Sequence, residues 1–279
     1  MRQGAVYDII KAMIKLIASD LDGTLLPPTK IMPEDTFTLI ERLYERGAVF
    51  APASGRQLPN LKKLFAPVLD KIAIIAENGG LVWRNGEIIF SDPTPAEDVL
   101  RALKEIRKID GLYPVLSCAD CAFYEDGFPK FVEVLKRSYS SEMRVGNLES
   151  VLKDNTVLKI SVWDALPAAE HGGKVLPPLT AGLRTIVSGY DWVDVSAAQA
   201  DKGRAFNALM ENLGVRREQT VAFGDHMNDY EMLTASGKAY VTANAYPPLK
   251  ALVGEEIPSN AQFGVIGKLK EILTNLQGN

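Results

Sequence analysis

Apolar positions along the chain fall into short unbroken runs separated by longer stretches of helical spacing. The run at 15–19, Lys15-Leu16-Ile17-Ala18-Ser19, lacks the polar alternation of a strand with one wet face and is soon followed by Asp22-Gly23. It reads as a short strand buried on both faces. Similar runs recur at 48–53, 72–76, 221–223 and 239–242. Between them, 34–46 and 203–213 carry helical patterns, each followed by a glycine (Gly47, Gly214) suited to the left-handed position that ends a helix. Short buried strands alternating with helices predict a parallel sheet covered on both sides.

The middle of the chain has another pattern. Asn85-Gly86 between the apolar runs of 81–90 is a hairpin signal. A helix is expected over 95–109, with Val99, Leu100, Leu103 and Ile106 at helical spacing. Strands are expected at 113–116, 122–125, 157–163, 183–188 and 192–195, and helices at 131–138 and within 167–179. Hairpins and mixed elements predict a second domain with antiparallel strands, spanning 84–193 and inserted into a first domain of 13–83 plus 194–279. Residues 1–12 show little pattern and are assigned no function.

Composition narrows the classes. The 279 residues are 47% apolar and 24% charged, which excludes a largely disordered chain and suits two domains. No apolar run approaches the roughly 18–20 residues that cross a bilayer. Asp8 and Lys11 interrupt the short apolar stretch at the start, against an export signal. Two cysteines argue for a reducing compartment, so the protein is expected to be cytoplasmic. A net charge of -4 gives no reason to expect nucleic acid or an anionic membrane as partner. Oligomeric state is not legible.

Ligands of open α/β sheets bind beyond the carboxyl ends of the strands, so the residues following each core strand carry the chemistry. The first strand runs into Asp20-Leu21-Asp22-Gly23-Thr24 and the second into Ser54-Gly55-Arg56. Asp201-Lys202-Gly203 opens the helix at 203–213, and the strand at 221–223 runs into Gly224-Asp225-His226-Met227-Asn228-Asp229. Singly, each has an ordinary explanation: a turn, a small-residue loop, a surface lysine, a helix cap. A calcium loop is excluded, because Leu25 stands where that loop needs glycine and Ile31 where it needs a bidentate glutamate. Jointly, the segments predict one rim carrying four carboxylates, a hydroxyl, loop amides and a lysine.

Carboxylates so gathered repel: unit charges roughly 4 Å apart at an effective dielectric of about 20 interact by ~4 kcal/mol. They call for a cation, and hard oxygen ligands select Mg2+. Mg2+ shares its shell with phosphate, and Lys202, the Ser54 hydroxyl and loop amides would offset the phosphate charge, so phosphoryl transfer is expected. Asp20, at the strand terminus, is the expected nucleophile, forming an aspartyl-phosphate. Asp22 is the expected acid and base, protonating the leaving alcohol and later taking a proton from water.

The four segments, in this order, resemble the motifs of the haloacid dehalogenase-like (HAD) hydrolases. The insert between the second and third resembles the Cof-type branch, class IIB, which carries a mixed α/β cap. Glu77-Asn78-Gly79-Gly80, Ala243-Asn244-Ala245 and Asn260-x-x-x-Gly264-Val265 match further, and the resemblance covers 13–271. It implies an α/β fold with a Rossmann-like parallel-sheet core and an inserted α/β cap, and Mg2+-dependent hydrolysis of phosphate monoesters. It also implies that Asp20, the backbone carbonyl of Asp22 and Asp225 hold the metal, with Asp229 nearby. Phosphate would contact the Leu21 amide, Ser54, Gly55, Lys202 and Asn228. Dehalogenases proper lack the second aspartate of the first motif, so Asp22 argues for a phosphatase. One departure is Val241-Thr242-Ala243 where many relatives read Ala-Met-Gly before the asparagine.

The expected substrate is a small phosphorylated metabolite, either a sugar phosphate or a phosphorylated cofactor such as flavin mononucleotide or pyridoxal phosphate. A phosphomutase or a dedicated sugar-phosphate phosphatase would use the same intermediate. A receiver-like module phosphorylated on aspartate also gathers carboxylates, a hydroxyl and a lysine. It is shorter, has no inserted domain and places its lysine last, whereas Lys202 precedes Asp225. Cys118-x-x-Cys121 could hold zinc or do redox chemistry; it reads as structural thiols, since the only histidines are His171 and His226, and His226 lies inside the fourth motif. The aromatics Trp83, Tyr113, Phe123, Tyr124, Phe128 and Trp163 read as core, and His226 as a loop residue beside the site.

Overall fold

The computed structural model describes residues 13–277; the stretch 1–12 lies outside them. In chain order the first elements are β1 (Leu16–Ser19), α1 (Thr36–Glu45), β2 (Val49–Pro52), α2 (Leu58–Leu64), β3 (Ala73–Ala76), β4 (Leu81–Arg84), β5 (Glu87–Ser91) and α3 (Ala96–Ile106). Next come β6 (Leu112–Cys118), β7 (Ala122–Tyr124), α4 (Pro129–Ser138), β8 (Glu142–Arg144), β9 (Val157–Asp164), α5 (Gly172–Leu179), β10 (Leu183–Val187) and β11 (Trp192–Ala197). Then follow α6 (Lys202–Leu213), β12 (Thr220–Gly224), α7 (Tyr230–Ala235), β13 (Lys238–Thr242), α8 (Pro247–Leu252), β14 (Glu255–Ile257) and α9 (Gly264–Gln277).

The chain divides into two compact units. One comprises the chain through Pro52, the segment Pro67–Ala73 and the stretch from Phe206 onward; the other comprises Ala53–Ala66 and Ile74–Ala205.

The first unit holds a five-stranded sheet in the order β14-β13-β12-β1-β2, parallel throughout. Every residue of β1 and β12 is buried, as expected for strands covered on both faces. Helix α1 earns its place through Leu39, Ile40 and Leu43, which lie on one stripe and are buried where it packs on β2 and α9. Each such side chain contributes about 1.5–3 kcal/mol by leaving water. Gly47, at φ +78°, ends the helix in the left-handed conformation. Because β1 and β12 are parallel neighbours, with Ser19 opposite Phe223, both release their chains at the same edge.

The second unit contains a six-stranded sheet, β10-β11-β9-β6-β7-β8, and a three-stranded one, β3-β4-β5. The expectation of antiparallel strands needs one correction: β7 and β8 run parallel, with Ala122 opposite Glu142. Helix α4 lies between them in the chain, and such a crossover returns the chain in its original direction. The β4–β5 hairpin turns at Asn85 (φ +50°) and Gly86 (φ +92°), the pair of positive angles that a tight twisted hairpin demands. Strand β3, expected in the main sheet, pairs within the smaller one; isolated bridges join Phe50 to Ile72 inside the first unit and Ala53 to Ile75 inside the second. Pro52 has no N–H to extend that ladder.

The two faces of the six-stranded sheet differ. Ile160, Val162, Val193 and Val195 join Val99, Leu103 and Ile106 of α3 in one apolar core. On the other, Trp163 packs with Tyr113 and Phe131 beneath α4, ring centroids 5.5 and 5.9 Å away. By strand alternation, this second face also carries Ser117, Lys159, Ser161 and Asp194, all buried. The segment 53–66 is tied to the same unit: Gln57 Nε2 donates to Ser141 O (2.9 Å) and Asn60 Nδ2 to Ser138 O (2.6 Å).

Candidate active site

The turn after β1 is wound tightly. The Leu26 amide donates to Leu21 O at 2.8 Å, and the Asp20 amide donates to Phe223 O at 3.0 Å, fixing the end of β1 against β12. Asp20 is buried with only 6% exposure. Gly23 follows at φ +91°, where a Cβ would stand 2.2 Å from Asp225 Oδ2. Only glycine combines that conformation with that approach. The Gly23 carbonyl accepts from Asn244 Nδ2 (2.8 Å), Asn244 Oδ1 accepts from the Asn260 amide (2.9 Å), and Asn260 Nδ2 donates to Leu26 O (2.8 Å). The asparagines that the resemblance marked are therefore braces for this turn.

The loop after β12 is organised by Asp229. Its Oδ2 accepts from the amides of Asp225 (3.0 Å) and His226 (3.2 Å), and the residue is fully buried. Asp225 itself takes a 2.8 Å bond from Thr24 Oγ1 on Oδ1, while its carbonyl accepts from the Tyr246 amide at 2.7 Å. Asn228 lies in the short 3-10 turn Met227–Asp229. His226 is exposed and tilts against Tyr246, ring centroids 5.0 Å apart.

Asp20, Asp225 and Asp229 thus each present a ligand oxygen within 4.8 Å of the others. Three carboxylates at such range, supplying only oxygen donors, fit a hard divalent cation. The Asp22 carboxylate is not one of this trio, and its Oδ1 pairs with Lys30 Nζ at 2.6 Å. Lys30 belongs to none of the motifs, and nothing in its spacing from Asp22 announces the contact.

Ser54, Gly55 and Lys202 belong to the second unit. The Ser54 amide donates to Ile75 O (2.9 Å), and its carbonyl accepts from the Asn78 amide (3.0 Å). The Gly55 carbonyl accepts from Lys159 Nζ at 2.7 Å. Lys202, fully buried, heads α6 directly after Asp201, whose carboxylate accepts from the Arg204 amide at 2.8 Å. Gly79, at φ +94°, lies so close that a Cβ there would come within 2.1 Å of Asp201 O. The Glu77-Asn78-Gly79-Gly80 turn therefore contacts both the Ser54 loop and the start of α6.

Beside that turn lies a buried charge cluster which sequence reasoning missed. Lys159 Nζ is 2.8 Å from Asp194 Oδ2 and 3.1 Å from Glu77 Oε2. Burial pushes the Glu77 carboxyl above its usual range, more than Lys159 draws it down. For Lys159 burial works against the charge, but Asp194 and Glu77 outweigh it and hold the ammonium well above its ordinary value. A charged residue inside the apolar strand 157–163 was the available signal. Of the set-aside residues, Cys118 is a buried free thiol that burial pushes up to about 12, and Cys121 is also free. Trp83, Phe123, Tyr124 and Trp163 are buried as expected, whereas Phe128 is exposed and stacks over Trp163 at 6.5 Å. Among the described residues, no helix is long and apolar enough to cross a membrane.

The sequence profile of the haloacid dehalogenase-like hydrolases matches residues 17–269, a span that includes this sheet and the acidic trio. The chain belongs to this family. It is an enzyme, a phosphoric monoester hydrolase. It is 30% identical over 250 residues to the HMP-PP phosphatase of Cronobacter sakazakii, covering 86% of this chain and 88% of the relative. It is also 30% identical over 255 residues to the HMP-PP phosphatase of Escherichia coli K12, with the same two coverages. A solved structure from Eubacterium rectale superposes with a TM-score of 0.82 at 28% identity, covering 93% of this chain and 99% of that one.

Proposed function

We propose that the enzyme hydrolyses phosphate monoesters of small metabolites through an aspartyl-phosphate on Asp20. The convergence of Asp20, Asp225 and Asp229 from two neighbouring strand ends carries this reading. Mg2+ fits the donor set, with Asp20, Asp225 and the Asp22 carbonyl as its holders and Asp229 behind them; when bound it neutralises the clustered carboxylates and the phosphate.

The chain's own groups then divide the reaction. A carboxylate oxygen of Asp20 attacks phosphorus, and the bond from phosphorus to the ester oxygen breaks. Asp22, as the carboxylic acid, gives its proton to the departing alkoxide. Water next attacks the phosphoryl group, Asp22 takes the water's proton, and the Asp20–phosphorus bond breaks to release inorganic phosphate. Lys30 Nζ, 2.6 Å from Asp22 Oδ1, holds this side chain in place. Leu21 N–H, Ser54, Gly55, Lys202 and Asn228 bind and orient the phosphate.

The relatives named HMP-PP phosphatase put that compound among the substrates to try, beside sugar phosphates, flavin mononucleotide and pyridoxal phosphate. Asp20→Asn is expected to abolish Mg2+-dependent turnover of p-nitrophenyl phosphate while the circular dichroism spectrum stays native. Undiminished hydrolysis by a folded Asp20→Asn enzyme removes Asp20 as nucleophile.

A further inference from the structure

Lys159 stands in the middle of β9, yet only 4% of it is exposed. Its neighbour Ile160 faces the apolar core under α3, while Lys159 shares the opposite face with its cross-strand partners Ser117 and Ser196. An ammonium has three protons to give. Here two go to hydrogen bonds, with Gly55 O at 2.7 Å and Asp194 Oδ2 at 2.8 Å, while Glu77 Oε2 stands 3.1 Å away as an ion-pair partner. Asp194 is anchored in turn, accepting from Ser161 Oγ (2.8 Å) and Asn78 Nδ2 (3.2 Å).

The chain of contacts continues through the backbone. The peptide group whose carbonyl belongs to Gly55 has its N–H on Arg56, and that N–H donates to Ser54 Oγ at 3.2 Å. A cation on the carbonyl polarises the peptide and makes its N–H a stronger donor. A serine hydroxyl that accepts this bond keeps its own proton free to donate away from the loop. The surrounding backbone restrains the two flanking peptides, with the Glu77 amide on Arg56 O (3.2 Å) and the Asn78 amide on Ser54 O (3.0 Å). Glu77 and Asn78 hold left-handed angles, φ +53° and +56°, which cost a non-glycine residue free energy and persist only where contacts over-determine them.

We propose that Lys159 is a positioning residue which acts through the Gly55–Arg56 peptide to set the Ser54 hydroxyl as a phosphate donor. The inference rests on the reading of Ser54 as a phosphate contact. It differs from a merely structural role, in which Lys159 only neutralises Glu77 and Asp194, because it ties the effect of Lys159 to Ser54.

The test is a cycle of Ser54→Ala, Lys159→Met and the double variant, reading kcat/KM for p-nitrophenyl phosphate and the inhibition constant of inorganic phosphate. Ser54→Ala is expected to weaken both by about 10-fold or more. Lys159→Met is expected to lower kcat/KM about 10- to 100-fold and to weaken phosphate inhibition in the wild-type background. In the Ser54→Ala background it should change either quantity by less than about 3-fold, because the group it serves is gone. Equal losses on both backgrounds, or wild-type constants in a folded Lys159→Met enzyme, overturn the proposal. A silent Ser54→Ala enzyme instead overturns the reading of Ser54, a result visible without touching Lys159. Should Lys159→Met not fold, Asp194→Asn loosens the ammonium with little change of volume. It should weaken phosphate inhibition about 3- to 10-fold only while Ser54 is present, and an unchanged inhibition constant there refutes the relay.

Discussion

Thr24 Oγ1 holds Oδ1 of Asp225 across 201 residues of chain, in a 2.8 Å hydrogen bond between the turn after β1 and the loop after β12. The bond aims one carboxylate of the acidic trio from outside the trio. Thr24 is itself buried, so its hydroxyl has no competing water. Thr24→Val keeps the shape and deletes the donor. The Mg2+ concentration that half-activates the enzyme is expected to rise about 10- to 100-fold, the usual cost of losing a partner behind a metal ligand. Stability should fall by about 1 kcal/mol. A Mg2+ titration of turnover and a urea melt check both, and a wild-type titration curve would count against the arrangement.

Gly23 and Gly86 make a controlled comparison. Their φ angles are nearly equal, +91° and +92°, but a Cβ on Gly23 would strike Asp225 Oδ2 whereas one on Gly86 meets open space. Alanine at either site pays about 1 kcal/mol or more for the left-handed backbone. Only Gly23→Ala is expected to displace the acidic trio and cut turnover at least 100-fold. Gly86→Ala should melt somewhat lower yet turn over normally. Equal activity in the two variants would contradict the close approach.

Glu77 gives a pH dependence whose sign can be worked out. Its carboxyl is raised in the folded state from an ordinary 4.5, burial outweighing the pull of Lys159. The folded protein then binds more protons than the unfolded chain between the two values, so this residue's contribution to stability falls as pH rises above about 4.5. Glu77→Gln removes that slope. Urea unfolding from pH 4.5 to 7 should show the variant's stability rising relative to that of the wild type as pH increases, and a variant that instead loses ground with rising pH would mean Lys159 dominates.

The strands that deliver the acidic residues were legible because they are continuous apolar runs, and the structure moves their ends by only a residue or two. Shorter elements were not. Helix α2 buries only Leu58 and Leu61, too little to show a period. Strand β8 is three residues, Glu-Met-Arg, with none buried, and exists through its pairing with β7. Helix α9 is different: Val265, Leu269, Ile272 and Leu276 do recur at helical spacing, although no element was assigned past 242. For the site, aspartates at strand ends could be read directly. Thr24 and Lys30 could not, since each matters through a partner distant in sequence or in a loop, and for Lys159 the sequence showed a charge inside an apolar strand but not the partners Gly55, Glu77 and Asp194.

Cys118 and Cys121 invite a chemical check on the reading of these thiols as structural. With its pKa pushed up to about 12 by burial, Cys118 has roughly one part in ten thousand thiolate at pH 8. Iodoacetamide at that pH should leave Cys118 unlabelled in the native protein and alkylate it promptly in urea. Rapid native labelling would mean that the strand end opens.

The neighbouring strands β1 and β12 lie far apart along the chain, with Leu16 paired to Thr220. A ribosome must therefore synthesise the whole stretch between them before Asp225 can reach Asp20. Until then the emerging β1 lacks one of its two parallel neighbours, and its apolar edge is available to chaperones. Pairing over so long a separation is slow to form. Assembly of the acidic trio should accordingly be among the last events of folding, with catalytic competence appearing after most of the secondary structure.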